Sequence, residues 1–262
     1  MGSDIRFLQN TGAVLAVATL IAFAGCESGG GGASTGTGWL GKHAATVLAG
    51  TNDNAEVVRV IPGGRHALLL SSKARKLTLL DTTGGDLAVV RDRAIFPDDA
   101  SESELTSLDV AADGTWAVAT RTRIETGTDG QQTKCGGSAV FLDLADSDAF
   151  GTVLAEVEVG PMPDAIDISD DGHSVAVANE RDGPDAWGKC LVATATPSIS
   201  IVDVSEGPSK ARELFRVEMK DATTGPREPE GIVFGKDSDL VVATLQDSHE
   251  VVLFRVSALV GK

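Results

Sequence analysis

Apolar and polar residues alternate in short runs along most of this chain, and the runs recur in one fixed order. VVRVIPGGRHALLLSS (57–72), SLDVAADGTWAVATRT (107–122), AIDISDDGHSVAVANE (165–180) and GIVFGKDSDLVVATLQ (231–246) each contain two apolar runs around a short polar or glycine turn. A period of two over such lengths predicts half-buried strands joined as hairpins. A third strand follows in every copy: KLTLLD (76–81), AVFLDL (139–144), SISIVDVS (198–205) and EVVLFRV (250–256). A fourth follows in the first three copies: LAVVRD (87–92), VLAEVEV (153–159) and LFRVEM (214–219).

Four antiparallel strands repeated at this spacing are the signature of propeller blades. The expected fold is all-β: a β-propeller with four visible four-stranded blades starting near 57, 107, 165 and 231, and an open arc rather than a closed ring. In this reading the last blade lacks its outer strand. A closed four-bladed ring is the alternative, with AATVLAG (44–50) supplying that strand.

Labelling the strands A to D outward from the axis puts the A–B and C–D turns on one face. The B–C and D–A connections fall on the other. The A–B turns are tight (PGGR, ADGT, DDGH, KDSD), whereas 123–137, 181–197, 92–106 and 220–230 are long. The loop-rich face is therefore the expected binding surface. Aligning the copies puts Glu56, Thr106, Asp164 and Glu230 at one position, the start of strand A, where that face meets the channel. Glu56, Asp164, Glu180 and Glu230 are the candidate ligand- or cation-binding residues, and such carboxylates suit a hard cation such as Ca²⁺. Acidic residues that merely begin strands in solvent are the competing explanation.

The first 26 residues read as a leader. AVLAVATLIAFAG (13–25) is apolar but, at about 1.5 Å per residue, too short to cross a bilayer. It ends Phe-Ala-Gly-Cys, which resembles the bacterial lipobox, although Phe23 stands where that pattern prefers Leu. The resemblance implies lipidation at Cys26 and a protein anchored to the outer membrane or cell surface. A plain secretory signal or an uncleaved anchor is the alternative. Residues 27–43, rich in Gly, Ser and Thr, read as a tether, leaving 44–262 to the propeller. Cys135 and Cys190 lie in equivalent long insertions of adjacent blades, and an oxidising compartment favours a bridge between them. Closing a loop of about 55 residues is worth on the order of 4 kcal/mol. Two unpaired thiols are the alternative.

Composition narrows the partners. The chain has 38 Asp and Glu against 22 Lys and Arg, a net charge of −16. This surface repels nucleic acid. With no Tyr, eight Phe and three Trp, its core must be aliphatic. His43, His66, His173 and His249 show no metal-ligand spacing, and GHSVA (172–176) lacks the last glycine of a nucleophile elbow.

VANE (177–180), SISIVDVS (198–205) and PEGI (229–232) resemble the choice-of-anchor I family of bacterial surface β-propellers, within the broader YVTN-like class. No Tyr-Val-Thr-Asn repeat is present. The resemblance implies a secreted or tethered propeller with a binding or interaction role at the cell envelope, its partner an envelope protein or a small ligand. Phytase-like or esterase-like metal-dependent hydrolysis is the alternative it leaves open. A fragment without independent function is the third reading.

Overall fold

The computed structural model describes residues 6–9, 55–83, 87–97, 102–126, 132–180, 196–223 and 225–260. Its first strand is β1 (Arg6–Gln9). Blade one is built from β2 (Ala55–Val60), β3 (His66–Ser71), β4 (Lys76–Asp81) and β5 (Ala88–Ala94). Blade two has β6 (Glu102–Val110), β7 (Trp116–Thr126), β8 (Gln132–Asp143) and β9 (Val153–Val159). Blade three has β10 (Pro163–Ile168), β11 (Ser174–Asn179), β12 (Ser198–Asp203) and β13 (Arg212–Glu218). Blade four has β14 (Pro229–Phe234), β15 (Leu240–Leu245) and β16 (Glu250–Arg255), followed by the short helix α1 (Val256–Val260). Every neighbouring pair is antiparallel.

The connection expected at 92–106 is shorter, since β5 runs to Ala94 and β6 begins at Glu102, and two larger features also differ from expectation. The fourth blade does have an outer strand, because β1 pairs with β16, Arg6 opposite Leu253 and Gln9 opposite Glu250. The open edge of β16 takes a strand from the far end of the chain, a partner that no local pattern reveals. Segment 44–50 lies outside the described residues. Second, the insertion 123–137 is largely strand. Thr122 pairs with Gly137 and Thr126 with Gln132, so β7 and β8 run on as a hairpin arm beyond the blade. The run Thr-Arg-Ile-Glu-Thr at 122–126 has the alternating, β-branched character that favours such an extension.

Core residues fall into three layers, each between two blades. Leu68, Leu70, Leu77 and Leu79 of blade one meet Leu105, Leu108, Val140 and Leu142 of blade two. Val118, Phe141, Val157 and Val159 meet Ile166, Ile168, Val175 and Val177. Ala176, Ala178, Ile199 and Ile201 meet Ile232, Val241, Val252 and Phe254. Trp116 packs tilted on Phe141, ring centroids 5.7 Å apart, where blade two meets blade three. Sheets stacked face to face need small and β-branched side chains to interdigitate, hence the Ala, Val and Leu content.

The inner strands are also latched by side chains. Asp109 on β6 accepts the backbone N–H of Ile168 on β10, at 2.9 Å. Asp167 on β10 repeats this with Phe234 on β14, at 2.6 Å. The alignment places Arg59 and Val233 at the same position in blades one and four. Arg59 lies 3.5 Å from the Asp109 carboxylate.

Burial pushes the Asp167 carboxyl up to about 6, with the Phe234 N–H opposing the shift and the Asp109 charge adding to it. A folded value above the ordinary 3.8 means that the folded state keeps a proton the unfolded chain has lost. The resulting penalty grows as pH rises from about 4 to 6 and is complete above that window. Asp167→Asn, whose amide oxygen can still accept the Phe234 N–H, should therefore stabilise the protein above pH 6 by about 1 kcal/mol, after allowing for partial solvent screening. Urea unfolding at pH 4 and pH 7 checks this: the variant should gain at pH 7 and match the parent at pH 4.

Candidate functional site

Each inner strand carries a register irregularity at the same place. It falls between Ala55 and Val57, Leu105 and Leu108, Pro163 and Ala165, and Pro229 and Gly231. A bulge leaves its residue out of the ladder and re-aims the side chain. The displaced residues are Glu56, Thr106 with Ser107, Asp164 and Glu230, the set aligned from the sequence.

The bulges bring part of that set together. One carboxylate oxygen from each of Asp164, Glu180 and Glu230 lies within 4.8 Å of the others, and all three residues are half-buried. Asp164 and Glu230 come from the bulges of blades three and four, and Glu180 follows the last residue of β11. The Glu230 Oε2 atom is buried and has no hydrogen-bond partner among the described residues. Glu56 does not join them: it sits exposed at the bulge of blade one.

Blade two adds no carboxylate from its bulge. Thr106 Oγ1 donates to the Pro163 carbonyl at 2.5 Å and lies 2.8 Å from Thr120 Oγ1, tying β6 to β10. Near it, the buried Arg121 donates to Glu156 at 3.0 Å and stacks on the Phe96 ring, 4.1 Å from its centroid. The acidic half of the mouth therefore belongs to blades three and four.

The support beneath Glu180 is rigid. Asn179 is fully buried, and its amide donates to Ser198 Oγ at 3.3 Å and to Ser200 Oγ at 3.0 Å. The Glu180 N–H donates to the Met162 carbonyl at 2.9 Å, just where Met162 adopts a φ of 47°. The sequence singled out Glu180 and, through the family resemblance, Asn179, without revealing that Asn179 anchors its neighbour, and it missed the Asp109 and Asp167 latches. The aligned column Arg59, Asp109, Asp167, Val233 was the available signal for the latches.

Three carboxylates this close repel one another unless a proton or cation sits between them. Such a group can supply oxygen ligands to a hard divalent ion, with backbone carbonyls and water completing the shell. Cys26, Cys190 and most of the insertion 181–197 lie outside the described residues. Cys135 lies on β8, in the hairpin arm.

A family model for the choice-of-anchor I domain matches residues 56–248. The chain belongs to that family. It is a surface β-propeller, and the four stacked sheets are its blades. Among solved structures, this choice-of-anchor I chain is similar to Kuenenia stuttgartiensis hydrazine synthase, at 16% identity and a TM-score of 0.55, covering 78% of this chain and 53% of that one. It is similar to the Malassezia sympodialis allergen Mala s 1, at 12% identity and a TM-score of 0.54, covering 78% and 60%. The β-propeller domain of Myceliophteria thermophila Cps50 (Swd1) matches at 11% identity and a TM-score of 0.50, covering 77% and 54%. At these identities the likeness is one of fold. The chain spans about half the length of the solved structures it matches. A search of the curated proteins finds no match.

Gly160 tests the support of this site. A Cβ there would stand 2.5 Å from both Asn179 Cγ and Ser198 Oγ, two groups held by hydrogen bonds. Gly160→Ala should cost about 2 kcal/mol, the usual scale of overpacking. An unchanged urea midpoint would show that Asn179 can move and is not a fixed anchor.

Proposed function

We propose that this choice-of-anchor I protein is a binding propeller of the cell envelope, lipid-anchored through Cys26, whose ligand site is the acidic mouth between blades three and four. The observation that carries the binding site is the convergence of Asp164, Glu180 and Glu230 to within 4.8 Å. The buried, unpartnered Glu230 Oε2 supports it, because a cation would supply the missing interaction. By strand topology the mouth lies at the end of the blades from which the B–C and D–A connections emerge. A cation can serve as the bridge to an anionic or carbonyl group of that ligand, and Ca²⁺ fits an all-oxygen donor set.

The anchor rests on the Phe-Ala-Gly-Cys sequence and the tether at 27–43. No helix among the described residues is long and apolar enough to cross a membrane. Cleavage before Cys26 would also remove β1 and return β16 to the edge of its sheet. In the oxidising compartment this address implies, Cys135 and Cys190 form a disulfide.

Calorimetric titration with CaCl₂ tests the site. The parent should bind with a Kd between about 10⁻⁶ and 10⁻³ M, the span from sensor sites to extracellular modules. The Asp164→Asn/Glu230→Gln double variant should lose that heat. A silent parent, or equal heat in both proteins, removes the cation from the reading.

Intact-mass analysis of protein from the membrane fraction tests the anchor separately. The expected species begins at an acylated Cys26, and Cys26→Ser should release the protein from that fraction. Recovery of residues 1–25 on the membrane-bound protein would overturn lipidation.

A further inference from the structure

A cavity opens between blades two and three at their tight-turn end, opposite the acidic mouth. It holds about 740 Å³, a size usual for small-molecule sites. Its floor is apolar, with Trp116 and Leu154 from blade two and Val204 and Pro208 from blade three. Around that floor stand Asp113 and Asp143 of blade two and Asp170 and Asp171 of blade three. Among the described residues, no Lys or Arg lines it.

The C–D connections of the two blades account for the space. They begin alike: the Leu144 N–H donates to the Thr115 carbonyl at 3.0 Å, and the Val204 N–H donates to the His173 carbonyl at 2.9 Å. In blade two the connection then turns so that the buried Phe150 fills the layer against blade one. Arg93 of blade one holds it there, donating to the Asp148 and Phe150 carbonyls at 2.9 and 3.2 Å. In blade three the connection forms a single short helical turn, Pro208–Lys210, and contributes Val204 and Ala211 to the layer against blade two. The room that an aromatic ring closes in one gap stays open in the next.

Hydrogen bonds hold the rim in place. Asp113 Oδ1 accepts the Thr115 N–H at 2.9 Å, Asp143 Oδ1 accepts the Ala145 N–H at 2.7 Å, and Asp171 Oδ1 accepts the His173 N–H at 3.0 Å. Burial works against the Asp171 charge, but the hydrogen bonds from Ser169 and the His173 N–H outweigh it and hold the carboxyl below the usual carboxylate range. His173 Nδ1 lies 3.7 Å from Asp171 Oδ2. The rim carboxylates do not converge: among the described residues, only Asp164, Glu180 and Glu230 bring three such ligand atoms together. The cavity is therefore no cage for a single metal ion. Negative charge spread around an apolar floor suits a larger cation, whose body covers the floor while its charge meets the rim.

The geometry points to a second binding site, for a small organic cation: an amine or guanidinium carried on an apolar body. The volume favours a free molecule over a polypeptide segment. This site lies at the other end of the blades from the acidic mouth, and the proposal does not depend on the cation reading of that mouth.

Calorimetric titration of the full chain with phenethylamine, phenethyl alcohol and phenylacetate tests it, because the three probes share one apolar body and differ in charge. The amine should bind about tenfold more tightly than the alcohol, as expected for a few partly exposed charge contacts, and the acid should give no heat. Added salt should narrow the gap between amine and alcohol. Asp113→Asn/Asp171→Asn, whose amide oxygens can still accept the turn N–H groups, should weaken the amine about tenfold and leave the alcohol unchanged. Ala112→Lys, which places a positive charge at an exposed position of the rim, should weaken the amine in the same direction without touching those turns. Asp164→Asn/Glu230→Gln should bind the amine as the parent does. Equal affinity for amine and alcohol, or silence from all three probes, overturns the proposal. So does loss of the amine heat in the Asp164→Asn/Glu230→Gln variant, which would put the amine at the mouth. Heat from an arginine-bearing peptide but not from the free amine overturns it as well, in favour of a protein partner.

Discussion

Every blade of this protein is a sheet with two apolar faces, and such a sheet gains its stability in water by packing on its neighbours. Removing apolar surface from water is the main favourable term in folding, at roughly 25 cal/mol per Å². Here it acts almost wholly across the gaps between blades. The three core layers lie in those gaps, and none is enclosed within a single blade. Stability is therefore close to a sum of neighbouring interfaces, as in other repeat proteins. The aliphatic, aromatic-poor composition follows from the same constraint, because the layers must interlock at close sheet spacing.

The site depends on that stacking. Asp164 and Glu230 belong to different blades, and only the packing of blade three on blade four brings their bulges together. The Asp167 latch holds the inner strands of the same two blades at 2.6 Å, a short distance along the channel from the mouth. Asn179 and the close approach of Gly160 fix the end of β11 from which Glu180 projects. Asp164 and Glu230 thus sit on inner strands, and Glu180 directly follows β11.

The mouth is asymmetric for a chemical reason. Blade one offers Glu56, which is exposed and separate. Blade two has Thr106 and the buried Arg121, already engaged with Pro163 and Glu156. A ring of four identical ligands never forms, and the charge gathers on one side.

The strand repeats, the hairpin turns and the equivalence of Glu56, Thr106, Asp164 and Glu230 were all legible in the sequence. They follow from period-two patterning and turn chemistry, which are local. The fifteen strands β2 to β16 fall close to where that pattern put them, with β6 starting earlier, at Glu102. Local pattern could not reveal that β1 would pair with β16, a contact between opposite ends of the chain. Nor could it show that 123–137 would extend two strands instead of looping, since that depends on the register of their pairing. Alignment named Glu56 and Glu230 as equals, yet one stands alone and the other joins Asp164 and Glu180. The sequence by itself determined which residues occupy the start of each inner strand. Only the tertiary structure decided which of them meet, because meeting depends on which blades are neighbours and on how each bulge turns its side chain.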